Sequence, residues 1–192
     1  MLSKLFKQFL KNPFRTGSLL PSSETLAKEI VSHVDFTKNK TIVEFGPGTG
    51  SVTSEVLKLI TDKHLFFTME LNSELVVELN QRFPKLIVYN DTAVTIEKYL
   101  GLHKIKYADI IISSIPVTLL EENEQREILD CIIKNLSPNG EFVMYMYIVS
   151  KFINSGQRFE QLLEEYFPYT TRTKLVWNNF PPAFIYKCRK KI

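Results

Sequence analysis

Residues 41–51 read Thr-Ile-Val-Glu-Phe-Gly-Pro-Gly-Thr-Gly-Ser, and this stretch decides the fold. Its apolar run predicts a short strand, which ends at three closely spaced glycines. Ser51 and Thr53 then offer hydroxyl groups that could cap a helix, and the apolar spacing predicts that helix as far as Ile60. A strand, a glycine turn and a helix in this order form the first half of a nucleotide-binding βαβ unit.

The spacing of the glycines indicates which class of nucleotide ligand the turn binds. A dinucleotide fingerprint requires G-x-G-x-x-G, and its third glycine would fall at Ser51. A P-loop requires Lys-Ser or Lys-Thr after its last glycine, and neither pair is present. The pattern from Glu44 to Gly50 is E-x-G-x-G-x-G, which resembles motif I of the class I S-adenosylmethionine (SAM) methyltransferases.

Composition indicates an ordinary globular protein. The 192 residues are 44% hydrophobic and 23% charged, which fits one domain with its own core. The net charge of +3 is too small to argue for nucleic acid. Cys131 and Cys188 lie among apolar residues and are expected to be buried, reduced thiols of a cytosolic protein. Three scattered histidines predict no metal site.

The N-terminal residues predict an amphipathic helix over residues 2–10, ended by Pro13. No apolar run approaches the ~18 residues of a membrane span, and no signal peptide is recognisable. The helix could lie on an anionic membrane, or it could pack on the domain with its lysines in solvent. We treat 1–15 as part of one methyltransferase domain that continues through 16–192. The candidate membrane-binding residues are Leu2, Lys4, Leu5, Phe6, Lys7, Phe9, Leu10 and Lys11.

Downstream, apolar strands alternate with helices. Strands are predicted at 65–69, 86–89, 108–112 and 141–148, with helices at 23–34, 73–83, 94–100, 122–136 and 159–166. Such βα units predict a parallel sheet with helices on both faces. The last two segments, at 171–177 and 184–188, have alternating apolar and polar residues and are predicted to form a hairpin of two strands. The fold class is therefore α/β, a Rossmann-like SAM methyltransferase with a seven-stranded, mostly parallel sheet and a terminal antiparallel hairpin.

Polar residues at the ends of these strands are the candidate cofactor site, because ligands of open α/β sheets bind there. The resemblance implies that the glycine turn passes under the methionine part of SAM, that Glu70 accepts hydrogen bonds from the ribose and that Asp91 borders the adenine. Each acid could instead be a solvated strand end. The full candidate set is Glu44, Gly46, Pro47, Gly48, Thr49, Gly50, Glu70, Leu71, Asn72, Asp91, Thr92, Ala93 and Ser113.

The end of the fourth strand is the candidate acceptor loop. Methyl transfer needs an aligned lone pair rather than a covalent nucleophile. Ser113 and Ser114 could accept a hydrogen bond from an acceptor amine, and Pro116 would stiffen the loop. Tyr145 and Tyr147 could face a cationic head group, although strand packing is the simpler interpretation. The sequence does not identify a general base.

Four segments, at 12–23, 44–50, 113–116 and 179–183, together resemble the bacterial phospholipid N-methyltransferases, and the likeness covers nearly the whole chain. It implies methylation of phosphatidylethanolamine towards phosphatidylcholine by a cytoplasmic, peripherally membrane-associated protein, which we expect to be a monomer. It also implies that the N-terminal helix touches the bilayer. Ser114 departs from the family pattern, which has glycine there.

The related rRNA adenine N6-dimethyltransferases are the alternative. Their fourth strand ends in Asn-(Ile/Leu)-Pro-aromatic, whereas this chain has Ser113 for the Asn and Val117 for the ring. Base capture uses a stacking surface, and this chain lacks that ring. Those enzymes also have a helical C-terminal domain, which is not expected here. A small acceptor, a protein amine, or SAM or membrane binding without turnover remain open.

Overall fold

The computed structural model describes residues 23–37 and 41–190. The N-terminal helix predicted at 2–10 lies outside this part of the chain. The strands are β1 (Thr41–Phe45), β2 (Leu65–Met69), β3 (Ile87–Tyr89), β4 (Ala108–Ser113), β5 (Leu136–Tyr147), β6 (Tyr169–Arg172) and β7 (Ala183–Arg189).

All seven strands form one sheet in the order β3-β2-β1-β4-β5-β7-β6. Strands β1 to β5 run parallel, and β7 pairs antiparallel with both β5 and β6. The predicted class I methyltransferase sheet, mostly parallel with a terminal antiparallel hairpin, is confirmed.

The helices are α1 (Glu24–Ser32), α2 (Ser51–Leu59), α3 (Ser73–Arg82), α4 (Ile96–Leu102), α5 (Glu122–Asn135) and α6 (Asn154–Tyr166). Short 3₁₀ turns occur at Ala93–Thr95, Val117–Leu119 and Ile148–Phe152.

Two cores cover the two faces of the sheet, because neighbouring residues of a strand point to opposite sides. In β1, Val43 and Phe45 pack into the core shared with α4, α5 and α6. Ile42 packs into the other core, shared with α1 and α2. This double burial explains why the strands are apolar along their whole length.

Two strand predictions need correction. β5 begins at Leu136 rather than at 141, because Leu136 pairs with Ala108 while Glu141 pairs with Ile110. The residues between them, for which no strand is predicted, form an irregularity in a continuous strand.

β6 covers Tyr169–Arg172 rather than 171–177. The Thr173 hydroxyl accepts a hydrogen bond from the Ile185 backbone N–H at 3.1 Å, in place of a backbone carbonyl. The regular pairing therefore stops, and only an isolated bridge joins Val176 to Ala183 beyond it.

The two cysteines are free, with Cys188 buried and Cys131 half-buried. Among residues 23–37 and 41–190, no helix is both long and apolar enough to cross a membrane.

Candidate SAM site

Backbone hydrogen bonds align the ends of four adjacent strands. The Gly46 N–H donates to the Met69 carbonyl at 2.9 Å, and the Glu70 N–H donates to the Tyr89 carbonyl at 3.0 Å. On the other side of β1, the Ser114 N–H donates to the Phe45 carbonyl at 2.9 Å. The glycine turn, Glu70 and the acceptor loop therefore lie at one edge of the sheet.

The glycine turn depends on left-handed backbone angles. Gly46, Gly48 and Gly50 have φ values of 64°, 57° and 84°, which L side chains rarely adopt. Gly50 is the N-cap of α2 and no side chain caps that helix, so the predicted capping by Ser51 or Thr53 is wrong.

The Thr53 hydroxyl instead holds Glu44 at the end of β1. It donates to Oε2 of Glu44 at 2.6 Å, and both residues are fully buried. The second carboxyl oxygen, Oε1, has no hydrogen-bond partner among the described residues. Burial raises the pKa of Glu44 to about 8, the bond from Thr53 opposes this rise, and the charge of Glu70 adds to it. Glu44 is therefore mostly protonated at neutral pH.

Glu70 joins the glycine turn to the start of α3. Its Oε2 accepts the Gly48 N–H at 3.1 Å, and its Oε1 accepts the Asn72 N–H at 2.8 Å. Burial raises the pKa of Glu70, while these backbone bonds oppose the rise. The Asn72 side chain caps α3 by accepting the Glu74 N–H at 2.9 Å. The backbone N–H of Asn72 thus holds the Glu70 carboxyl group, while the side-chain oxygen of Asn72 caps α3.

Asp91 is held by its own neighbours. Its carboxylate accepts the Tyr99 hydroxyl at 2.7 Å and the Thr92 N–H at 2.8 Å. The bond from Tyr99 is the main reason why the pKa of Asp91 is lowered, so it is ionised at neutral pH. Ala93 is buried at the start of the following 3₁₀ turn.

Sequence reasoning missed two residues beside these acids. The Asn90 amide donates to the carbonyls of Glu70, at 2.9 Å, and Leu71, at 3.2 Å, and so ties the end of β3 to the end of β2. Tyr99 reaches Asp91 from α4. Asn90 follows a predicted strand end and could have been included on that ground, whereas no sequence pattern pairs Tyr99 with Asp91.

The acceptor loop lies directly against the glycine turn. Ser113 is buried, and its hydroxyl accepts the Ile115 N–H at 3.3 Å. A Cβ atom placed on Gly46 would lie 3.0 Å from Cγ1 of Ile115, so the glycine allows a close approach between the turn and the loop. Ser114 and Pro116 are half-buried.

Gln125 of α5, also missed from the sequence, fixes the end of this loop. Its buried amide nitrogen donates to the Val117 carbonyl at 2.8 Å and to the Ser155 carbonyl at 3.0 Å. Arg158 of α6 donates to the amide oxygen at 2.9 Å. The loop is therefore anchored to both α5 and α6.

The two tyrosines of β5 differ. Tyr145 is buried in the core beneath α1 and α2, which agrees with strand packing. Its ring lies 5.6 Å from that of Tyr147, edge to face, and Tyr147 is half-buried.

These features fit a bound SAM molecule. A Cβ atom on Gly48 would meet no atom within 4 Å, so the turn leaves space beside its backbone. Glu70 has further lone pairs for hydroxyl groups, since each of its oxygens accepts two or more hydrogen bonds when ionised. Within the described ranges, no group of three His, Cys, Asp or Glu side chains could hold a metal ion.

Solved structures support the fold. An O-methyltransferase from Bacillus cereus in complex with SAH aligns with a TM-score of 0.69 at 13% identity, covering 96% of this chain and 90% of its own. A glycopeptide N-methyltransferase complexed with SAM aligns with a TM-score of 0.67 at 9% identity, covering 90% of this chain and 96% of its own. At these identities the likeness shows the fold.

Sequence comparison adds the family. An ornithine lipid N-methyltransferase from Singulisphaera acidiphila is 25% identical over 186 residues, which cover 95% of this chain and 92% of that protein. The family model described as ribosomal RNA adenine dimethylase matches residues 10–153, well over half of the chain. The chain therefore belongs to the ribosomal RNA adenine dimethylase family and is a SAM-dependent methyltransferase.

Proposed function

We propose that the enzyme methylates the amine of a lipid head group at a membrane surface, with phosphatidylethanolamine as the acceptor. One observation carries this proposal: the loop after β4, which lies beside the glycine turn, contains Ser113 and Ser114 and no aromatic residue. The relative from Singulisphaera acidiphila, whose name describes methylation of a lipid nitrogen, supports it.

The loop suits a small amine better than a nucleobase. We propose that the half-buried Ser114, and Ser113 beside it, accept hydrogen bonds from the acceptor amine through their oxygens. Val117, at the position of the stacking ring in RNA enzymes, is an aliphatic side chain that is 3% exposed in the core. It therefore offers no flat surface to a base taken out of its stack.

RNA adenine methylation is the second candidate, because the matching family model bears that description. If the enzyme acted on RNA, it would methylate an adenine in a specific rRNA sequence. A residue other than Val117 at the site edge would then have to stack on that base. Of the two tyrosines of β5, Tyr145 is buried and cannot stack on a base without leaving its core, whereas Tyr147, at the end of the strand, is half-buried.

The geometry of the strand ends supports the cofactor contacts that we propose. Bound SAM would supply an electrophilic methyl group on a sulfonium centre. The turn from Gly46 to Gly50, with Pro47 and Thr49, would lie along its amino-acid part. Glu70 would accept hydrogen bonds from its ribose, supported by Leu71 and Asn72.

Asp91, Thr92 and Ala93 would border the adenine. The carboxyl groups of Glu44 and Glu70 lie close enough to influence each other, so a cation bound near them would favour their ionised forms.

Residues 1–15 are proposed to be an amphipathic helix of the same domain that rests on anionic lipid in the cytoplasm. Its apolar residues would enter the lipid surface and its lysines would face the head groups. We also propose that the enzyme works as a monomer.

Methyl transfer from radiolabelled SAM tests the proposal directly. The acceptors are vesicles of phosphatidylethanolamine, vesicles of an ornithine lipid, vesicles of phosphatidylcholine alone, and deproteinised rRNA. We expect label in the N-methylated products of the phosphatidylethanolamine vesicles and none in the vesicles of phosphatidylcholine alone, because the quaternary nitrogen of phosphatidylcholine accepts no further methyl group. Label in ornithine lipid alone would keep lipid amine methylation but replace the acceptor, and label in rRNA alone would refute the proposal.

A further inference from the structure

Five large apolar side chains are exposed on two segments that flank the β5–β7 pair. The most exposed are Phe152, at 80%, Phe180, at 79%, and Trp177, at 72%. We call this group the aromatic surface, and its members are Val149, Phe152, Ile153, Trp177 and Phe180. Groups of exposed large apolar residues commonly mark an interaction site.

Hydrogen bonds bring the two segments together at the site edge of the sheet. The Ile148 N–H, just after β5, donates to the Pro182 carbonyl, just before β7, at 2.8 Å. Ala183 then pairs with both Tyr147 and Val176. Since β5 is parallel to β1 and β4, its carboxyl end lies at the same edge as the glycine turn and the acceptor loop.

Basic residues outnumber acidic ones in the segments around the aromatic surface. The sequence has no acidic residue between Glu141 and Glu160, and none after Glu165. Lys151 and Arg172 pair with Glu160, which leaves Lys174 as an exposed cation three residues before Trp177. Aromatic rings next to lysine suit the boundary between acyl chains and anionic head groups.

The N-terminal segment joins the domain at the same place. The Ser23 N–H donates to Oδ1 of Asn179 at 2.9 Å, and the Ser23 hydroxyl donates to the Asn178 carbonyl at 3.3 Å. These two asparagines lie between Trp177 and Phe180. Ser23 therefore lies beside the aromatic surface, and the sequence that precedes it, residues 1–22, contains four basic residues and no acidic one.

We propose that the aromatic surface inserts into the interfacial layer of an anionic lipid bilayer. It is a second membrane contact, distinct from the N-terminal helix, and the inference rests on the proposed function because that function requires a lipid acceptor. Insertion of Phe152 and Trp177 would bring the site edge of the sheet against the head groups. Two contacts at one edge would also fix the orientation of the domain on the bilayer.

Trp177 is the single tryptophan of the chain, so its fluorescence reports on this surface directly. The full-length protein is titrated with vesicles of phosphatidylethanolamine and phosphatidylglycerol. We expect the emission to shift to shorter wavelength and to be quenched by lipids brominated on their acyl chains. An unchanged emission maximum with no quenching, in protein shown by flotation to be vesicle-bound, would overturn the proposal.

Substitutions distinguish a localised membrane contact at the aromatic surface from nonspecific adsorption of exposed apolar residues to vesicles. Phe152→Ser, which leaves Trp177 in place, should weaken vesicle partitioning by about tenfold. Leu102→Ser is the matched control, because Leu102 is 65% exposed at the end of α4, which leads to the amino end of β4. It should partition like the unsubstituted protein. Equal effects of both variants would refute a localised contact.

If the aromatic surface were covered by protein instead of lipid, the fluorescence results would differ. If the N-terminal segment covered the surface, the emission would already be blue-shifted without lipid, and Leu5→Ser, Phe6→Ser and Phe9→Ser together would reverse that shift. If a second copy covered it, the shift would follow protein concentration in gel filtration. Either result would overturn the proposal.

Activity on short-chain phosphatidylethanolamine below its micelle concentration separates the two proposals. Methylation of this dispersed lipid without insertion of Trp177 into vesicles refutes the aromatic surface alone. Insertion without methylation of any lipid refutes the proposed acceptor and leaves the surface as a membrane contact.

Discussion

The carboxylate of Glu70 accepts the backbone N–H of Gly48 at 3.1 Å, so the end of β2 holds the glycine turn that follows β1. The other carboxylate oxygen accepts the Asn72 N–H at 2.8 Å. One buried side chain therefore orders the turn and the start of α3 at the same time. We propose that it does so in the position where the ribose of SAM binds.

Glu70→Gln tests this arrangement. The amide keeps one acceptor oxygen but brings an N–H group against one of the two backbone donors. We expect SAM affinity to fall by at least about tenfold, because a hydrogen bond to a charged group is lost and a donor is left unpaired. Isothermal calorimetry with SAM measures it. Glu74→Gln, an exposed change in the first turn of α3, is the control, and equal affinity in the Glu70 variant would remove Glu70 from the site.

Comparison of Gly48→Ala with Gly50→Ala should distinguish an effect on SAM binding from an effect on the stability of the fold. Both glycines have positive φ, so alanine costs each about 1 kcal/mol of stability in strain. The Gly48 Cβ meets no atom within 4 Å and would occupy the space beside the turn, so SAM binding should be lost with little further destabilisation.

The Gly50 Cβ would lie 2.6 Å from Cε2 of Phe83, and relieving that contact should cost about 1–3 kcal/mol more. Urea unfolding and calorimetry measure the two effects. Gly48→Ala protein that binds SAM normally would show that the ligand does not use this space.

The sequence indicated the sheet well because its strands are buried on both faces. The predicted bounds of β2, at 65–69, match the structure, and β4 is longer by one residue. The positions of the strand ends follow from these bounds, because parallel strands in register bring Glu70 and Ser114 to the same edge of the sheet. Which polar residues gather there was therefore predictable.

The partners of those residues were not predictable. Thr53 lies in the first turn of α2, which made it a candidate cap, yet its hydroxyl faces the sheet and bonds Glu44. Gln125 and Val117 are eight residues apart, but their bond depends on how α5 packs against the loop. Helical periodicity places Gln125 on the buried face without stating what its amide meets there.

Glu44 makes the stability of the ligand-free protein depend on pH. Its pKa is about 8 in the folded state and near 4.5 when unfolded, so between these values only the folded state holds the proton. Stability is therefore greatest below the unfolded pKa and falls as the pH rises towards 8, by about 1.4 kcal/mol per pH unit for one proton. Glu70, whose pKa is also raised, acts in the same direction.

Glu44→Gln should flatten this dependence, because glutamine keeps an acceptor for the Thr53 hydroxyl and does not titrate. Urea unfolding at pH 5.5, 6.5 and 7.5 measures the slope. Glu97→Gln, which changes a glutamate paired with Lys134 on the surface, serves as the control. Identical slopes in the Glu44 variant and the unsubstituted protein would show that Glu44 is ionised throughout.

Gln125 should affect the acceptor without affecting SAM. Its amide nitrogen donates to the carbonyls of Val117 and Ser155, and its oxygen accepts a bond from Arg158. Gln125→Leu removes all three bonds, whereas Gln125→Glu keeps the oxygen for Arg158 and loses the two donations. Both variants remove the two donations, although the Val117 carbonyl keeps a bond from the Leu120 N–H at 3.2 Å, and we expect a loss of about 1–3 kcal/mol in stability.

The kinetic result distinguishes positioning from simple destabilisation. A loosened acceptor loop should raise the KM for the lipid acceptor several-fold while the Kd for SAM stays unchanged, because Glu70 and Gly48 hold the glycine turn independently. Asn135→Leu is the matched control, since Asn135 is a buried amide at the other end of α5 that donates to the Cys131 carbonyl. It should lose stability without changing the KM. If both variants change the KM equally, Gln125 acts only through the stability of α5.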